Sequence, residues 1–203
     1  MNNYIKNKDY LLYNNNIVII NKDFCDDISK LNLSSEITEI IFINHGDIEN
    51  IFITTIFGVS YFNNSIDNLP QFLKKITLSQ FFNQSVDKLP ITLEYLTFGY
   101  EFNQPVDNLP LNLKKLTFGD KFNQLVDNLP QSIINLIFGH NFNQPVDNLP
   151  QNLKKITFQQ CFDQSVDNLP ESIIYIKFSS KFKKSIENLP LSIKKNNIAY
   201  NIY

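Results

Sequence analysis

Glycine is scarce in this chain of 203 residues, with 5 in all, and cysteine scarcer still, with 2. So few glycines argue against the glycine-rich turns of a calcium-binding β-roll, although the chain carries a regular aspartate column of the kind such a roll uses. Cys25 and Cys161 lie far apart and match no metal-ligand spacing, which predicts a reducing compartment and no metal site. Charge of one sign is missing too: 18 Lys+Arg stand against 20 Asp+Glu, a net charge of -2. A protein devoted to nucleic acid would be distinctly basic. Long hydrophobic runs are also absent. The start, MNNYIKNKDYLLYNNN, holds no uninterrupted apolar core of signal-peptide length, and no window approaches the roughly 18 apolar residues of a membrane span. These absences predict one soluble domain of ordinary size, intracellular, with the cytoplasm as the favoured location and no membrane partner.

What is present is repetition. The stretch FNQPVDNLPLNLKKLTFG, Phe102 to Gly119, recurs on a period of 20 without insertion, headed by Phe62, Phe82, Phe102, Phe122, Phe142, Phe162 and Phe182. Seven residues after each Phe stands a Leu followed by Pro, from Leu69 to Leu189. Self-similarity at a fixed short period means a solenoid, in which one unit cannot bury its own apolar face and neighbours must stack. With Phe at position 2, the apolar positions are 2, 6, 9, 13, 16 and 18, or Phe102, Val106, Leu109, Leu113, Leu116 and Phe118 in the third copy. The first five are spaced 4, 3, 4, 3, which alone would suit an amphipathic helix. Proline overrules that reading. Pro110 and its equivalents lack the amide donor a helix needs there, and they push the preceding Leu toward extended geometry. At most one turn survives after each Pro. The switch to period 2 at Leu116 and Phe118 then predicts a short strand over about Lys114 to Phe118, with Gly119 ending it.

These residues carry a resemblance. LPLNLKKLTF, Leu109 to Phe118, resembles the LPxxLxxLxL core of the leucine-rich repeat, above all the 20-residue kind of bacterial effector proteins. The whole unit is similar to the FNIP repeat of proteins from amoebae and their giant viruses, over about residues 61 to 195. The resemblance implies a leucine-rich-repeat-like (LRR-like) solenoid that binds other proteins, has no activity of its own and, if viral, works in the host cytoplasm. Some FNIP-repeat proteins carry an F-box ahead of the repeats, which would make the chain a substrate-recognition adaptor of a ubiquitin ligase. Residues 1–36 lack the leucine and proline pattern of such a domain, and the adaptor remains an alternative.

The expected fold is therefore a mainly β repeat solenoid: a parallel sheet of about seven to nine strands, one per repeat, with an irregular, turn-rich convex side. Residues 1–36 are read as an N-terminal cap, with strands expected at Tyr10–Tyr13 and Ile17–Ile20, because a solenoid needs its first rung covered. Residues 37–60 are read as two degenerate copies, the first carried by Ile37, Ile40 and Phe42. The second has Ile53 and Ile56, only 16 residues later. Residues 61–180 form the regular array and 181–203 a capping repeat and tail, in which Asn196 falls on core position 16.

Stacking turns positions into columns about 4.8 Å apart. Asn63, Asn83, Asn103, Asn123 and Asn143 form one at position 3, Asp67 to Asp167 one at position 7, and Asn one at position 8 in six of seven copies. These are expected to satisfy backbone groups of their own turns, as Asn and Asp do elsewhere. Positions 14 and 15, at the strand, hold Lys-Lys pairs on alternate copies only: Lys74 Lys75, Lys114 Lys115, Lys154 Lys155 and Lys194 Lys195. Alternation doubles the spacing within the lysine column to about 9.6 Å and roughly halves its repulsion. Read as function, this is a concave face with basic stripes, on which Lys75, Tyr95, Lys115, Asn135, Lys155 and Tyr175 are the candidate partner-binding residues. The expected partner is a protein of acidic or mixed charge; a nucleic acid backbone held by the lysine stripes is a further alternative. Positions 20 and 1 vary most and extend the surface. They bring Asp120, His140 and Cys161 onto neighbouring copies, a trio that could in principle catalyse, but no cleft or oxyanion hole accompanies it. No catalytic residue, cofactor or small-molecule substrate is expected.

Overall fold

The computed structural model describes residues 4–6, 9–13, 16–21, 23–42, 60–193 and 198–201. Each regular copy follows a course set by its proline. In the third, the Leu113 amide donates to the Pro110 carbonyl at 3.1 Å and closes a single turn. The chain leaves that turn extended, and Lys115–Thr117 forms a strand with Leu116 buried between two less buried neighbours. This strand is shorter than the five residues expected, yet the ladder continues past it: the Phe118 amide donates to the Ile137 carbonyl at 2.8 Å.

The strands are β1 Tyr4–Lys6, β2 Tyr10–Tyr13, β3 Ile17–Ile20, β4 Glu39–Phe42, β5 Lys75–Thr77, β6 Tyr95–Thr97, β7 Lys115–Thr117, β8 Asn135–Ile137, β9 Lys155–Thr157, β10 Tyr175–Ser179 and β11 Ile198–Asn201. They form one 11-stranded sheet in chain order. From β3 to β11 every pairing is parallel, as the repeat predicts. Only β1, β2 and β3 run antiparallel to one another. The two strands expected ahead of the repeats are therefore present with the bounds expected. Their segment also feeds the core, because Phe24, Ile28 and Leu31 are buried in the same cluster as the repeats and Phe24 stacks on Phe62 at 5.9 Å.

Two irregularities depart from the expected phase. β4 pairs directly with β5, Ile40 opposite Ile76, so no rung stands between them. The second degenerate copy, with Ile53 and Ile56, lies outside the described residues. At the other end Ile198 pairs with Ile176 and Tyr200 with Phe178, a step of 22 residues instead of 20. Ile198 thus takes core position 16. The two-residue shift packs Ile198 against the core, where the strict phase would place an amide, which is costly to desolvate, and sets the Tyr200 ring 6.2 Å from Phe178. Asn196 itself, with Lys194 and Lys195, lies outside the described residues.

The core is two interlocked phenylalanine columns. The position 2 rings stack from Phe62 to Phe182 at 5.9 to 6.3 Å. The position 18 rings stack from Phe98 to Phe178 at 5.5 to 5.8 Å. A ring of one column faces a ring of the other at 3.7 Å in the pairs Phe98 with Phe102, Phe118 with Phe122 and Phe138 with Phe142. Such rings bury a large apolar area, which a lone repeat could not do.

Polar ladders tie the rungs together outside this core. The Asn123 side-chain carbonyl accepts the Asn143 backbone amide at 2.9 Å, and the same bond recurs from Asn63 to Lys183. Position 4 adds a second strap: Gln144 Nε2 donates to the Asn123 carbonyl at 3.1 Å, and Gln104, Gln124 and Gln164 do likewise one rung apart. Position 8 reaches back to position 7, with Asn108 Nδ2 donating to Asp87 at 3.0 Å and Asn128 to Asp107 at 2.9 Å. The expectation that these residues serve their own turns is corrected. They bond the neighbouring rung, and where an aspartate amide needs a local acceptor a serine supplies it, as Ser85 does for Asp87.

Gly119 does more than end a strand. A Cβ placed there would lie 1.8 Å from the Gly99 carbonyl oxygen, and one at Gly139 would lie 2.0 Å from that of Gly119. The glycines let consecutive rungs approach closely at this corner.

Candidate functional site

Because the strands pair in register, the candidate residues form a single file across the sheet: Glu39, Lys75, Tyr95, Lys115, Asn135, Lys155 and Tyr175, each opposite the next. All point away from the buried residue that follows them, Ile76, Leu96, Leu116, Leu136, Ile156 and Ile176. All six predicted residues are thus brought together. The file extends one strand further than predicted, to Glu39, whose carboxylate Lys75 Nζ meets at 2.6 Å.

Beside this file runs position 14, just ahead of each strand. Glu94 sits between two lysines, 3.1 Å from Lys74 Nζ and 2.6 Å from Lys114 Nζ. Hydrogen bonds from Lys114 and then Lys74 hold the Glu94 carboxyl below its usual range, and Glu94 raises Lys114 in turn. These pairs are half exposed to water, so they contribute little to stability. Their effect is on the field: Lys74 and Lys114 share the one charge of Glu94, and Lys75 meets Glu39. Among the described residues no carboxylate stands within ion-pair distance of Lys115, Lys154 or Lys155. The uncompensated charge is therefore concentrated toward the later rungs. Exposed apolar groups lie among it, with Ile134 and Ile174 each 45% exposed and Tyr95 41% exposed.

Sequence reasoning placed the lysines but missed the Glu94 clamp. A step of 20 residues from Glu94 lands on Lys74 one way and Lys114 the other, so the column that revealed the stripes also held the signal. It also missed the outer file at position 17, Thr77, Thr97, Thr117, Ile137, Thr157 and Lys177, which shares the face and ends on a further lysine. At the corner beyond the strands, Asp120 and His140 do come together, but Asp120 accepts the His140 backbone amide at 3.2 Å. Cys161 is exposed, and its amide donates to the His140 carbonyl at 3.0 Å. The trio is joined through its backbone.

The position 7 aspartates are likewise occupied by amides of the next rung, and among the described residues no group of three or more His, Cys, Asp or Glu could hold a metal ion. No described helix is long and apolar enough to cross a membrane.

Rungs of one short parallel strand, a proline turn and an inward file of Leu, Ile and Phe define a leucine-rich-repeat-like β-solenoid. Within that class the rungs of residues 62–161 are FNIP repeats: the FNIP Repeat family model matches residues 62–101, 82–121, 102–139 and 122–161. Among solved structures the chain is similar to CroV588, a giant-virus protein described as a novel circular LRR protein, with 28% identity and a TM-score of 0.70. The similarity covers 97% of this chain and 31% of that one, so this chain spans about a third of its structural relative. A comparison with curated proteins gives no match.

Proposed function

We propose that the protein is a non-enzymatic scaffold that binds another protein on the outward face of its parallel strands. Repeat families with LRR-like solenoids are typically interaction scaffolds, and what varies on their constant frame carries specificity. The observation that carries the reading is the single file Lys75, Tyr95, Lys115, Asn135, Lys155, Tyr175, long side chains held in register on a surface no part of the described chain covers. Three lysines without an ion-pair partner beside exposed Ile and Tyr suit a partner of acidic or mixed charge with some apolar character. The test compares proteins captured by the native chain with those captured by the variant Lys75→Glu, Lys115→Glu, Lys155→Glu. The native list should lose members in the variant; an unchanged list rejects this face.

The uncompensated lysines also favour a second reading, a nucleic acid backbone, which would show as affinity falling steeply with salt. The adaptor reading draws no such support. Phe24, Ile28 and Leu31 are used in the core, so its test should employ surface substitutions in the first 36 residues and leave those three in place.

A further inference from the structure

Positions 15 and 17 flank the buried position 16 and both face outward, so each pair of neighbouring strands presents a square of four side chains in register. From β4 to β9 each square holds one lysine. The square between β9 and β10 differs. Lys155 stands opposite Tyr175 and Thr157 opposite Lys177, so two lysines occupy one diagonal and two hydroxyl groups the other. Here position 17 departs from its run of Thr and Ile, and Lys154 adds a further exposed cation just ahead of the strand.

The two lysine stems are about 8 Å apart, one strand spacing across and two residues along. Each ammonium rides on a flexible four-carbon stem, so both can close on one point between them, where the Thr157 and Tyr175 hydroxyls are the neighbouring donors. Among the described residues no carboxylate stands within ion-pair distance of Lys154, Lys155 or Lys177. The flanking groups on the face are uncharged: Asn135 and Ile137 on β8, and Ala199 opposite Lys177 on β11. A group that fills this square therefore meets at least two cations and two hydroxyl donors at once.

A single carboxylate brings one charge and two oxygens, and would leave at least one ammonium uncompensated. A phosphorylated side chain brings a charge of about −1.5 to −2 and three strong acceptor oxygens. Lysine binds phosphate as a point charge, which suits two ammoniums converging from opposite corners. Ile134 and Ile174, each 45% exposed, stand at position 14 on the strands either side of Lys154 and offer apolar contact to the residues that flank such a group in a protein chain.

We infer that the square of Lys155, Lys177, Thr157 and Tyr175, with Lys154 beside it, binds a phosphoryl group carried by a protein partner. This rests on the proposed use of the strand face and adds to it the modification that the partner bears.

The test uses the full chain and fluorescently labelled heptapeptides, read by fluorescence anisotropy at low salt. One peptide is Gly-Ser-Gly-phosphoserine-Gly-Ser-Gly and the second is its unphosphorylated parent. The third carries Asp-Asp in place of phosphoserine-Gly, for about the same net charge. The phosphopeptide should bind more tightly than either of the others and lose at least about fivefold in the variant Lys155→Ala, Lys177→Ala, as two exposed ion pairs would give. The control Lys181→Ala, Lys184→Ala, beyond the end of β10, should change it little. An Asp-Asp peptide bound as tightly as the phosphopeptide, with both weakened in the double variant, overturns the phosphoryl selectivity and leaves the face standing. Phosphopeptide binding indifferent to the double variant, or no binding of any peptide, overturns the site, and the capture comparison with the triple Glu variant decides separately whether the face binds protein. A thymidine trinucleotide, of similar net charge through its two phosphodiesters, bound more tightly than the phosphopeptide overturns the inference in favour of a nucleic acid.

Discussion

The middle rungs and the last rung are built from the same repeat, and they are held differently. Around Phe122 both ring columns are complete, the ring is 0% exposed, and the asparagine ladder continues above and below. At the C-terminal end Phe182 is half-buried, Tyr200 replaces Phe in the second column, and its ring is tilted at 6.2 Å from Phe178 and 49% exposed. An inner rung gains from two neighbours and an end rung from one. Stability in such an array is a sum over interfaces, so the same substitution should weigh more in the middle than at the end.

The largest expected effect is at the rings. Phe122→Ala should cost about 3–5 kcal/mol in urea unfolding, and Phe182→Ala only about 1–2 kcal/mol, since less of its area is buried. Equal losses would break the comparison. Next comes Gly119→Ala, where a Cβ would overlap the Gly99 carbonyl. It should cost about 1–3 kcal/mol through overpacking, read as a lower urea midpoint with an unchanged slope. Asn123→Ala removes the acceptor of a partly buried amide and should cost about 1–2 kcal/mol. Asn63→Ala, whose partner amide is exposed, should cost clearly less.

The smallest effect is that of acid. Lys88 holds the Asp67 carboxyl below its ordinary value of 3.8, and Asn108 and Ser85 do the same for Asp87. A carboxyl depressed in the folded state contributes stability that is present above its unfolded pKa and lost as pH falls through the folded one. Thermal melts should therefore be level from neutral pH down to about 5 and decline below about 4. Asp87→Asn should remove part of that decline, because the residue no longer titrates.

Much of this fold was legible because proline and period speak to one rung at a time. Pro110 turned a helical spacing into a turn and strand, and the recurrence of Lys75, Lys115 and Lys155 placed them on one file. What stayed hidden depends on the relation between rungs. A column of Asn says that an amide is needed at each level, but not whether it serves its own turn or the next, and the structure gives the next. The last strand shows the same limit: the strict phase would set Ile198 opposite Phe178, while the structure sets Tyr200 there, two residues out of step. The pairing of Glu94 with Lys74 and Lys114 was open to the same arithmetic that found the lysine stripes, had charges of both signs been followed along the column.

The proposed binding face depends on Lys75 and Lys155 lying on one line across consecutive strands. With the exposed Cys25 and Cys161 replaced by Ser, spin labels at Lys75→Cys and Lys155→Cys would report their separation directly by pulsed electron paramagnetic resonance. Four strand steps place the two backbones about 19 Å apart, and a single narrow distribution near that value is expected. A broad distribution, or one centred beyond about 30 Å, would mean that the rungs do not stack in register, and the face would not exist.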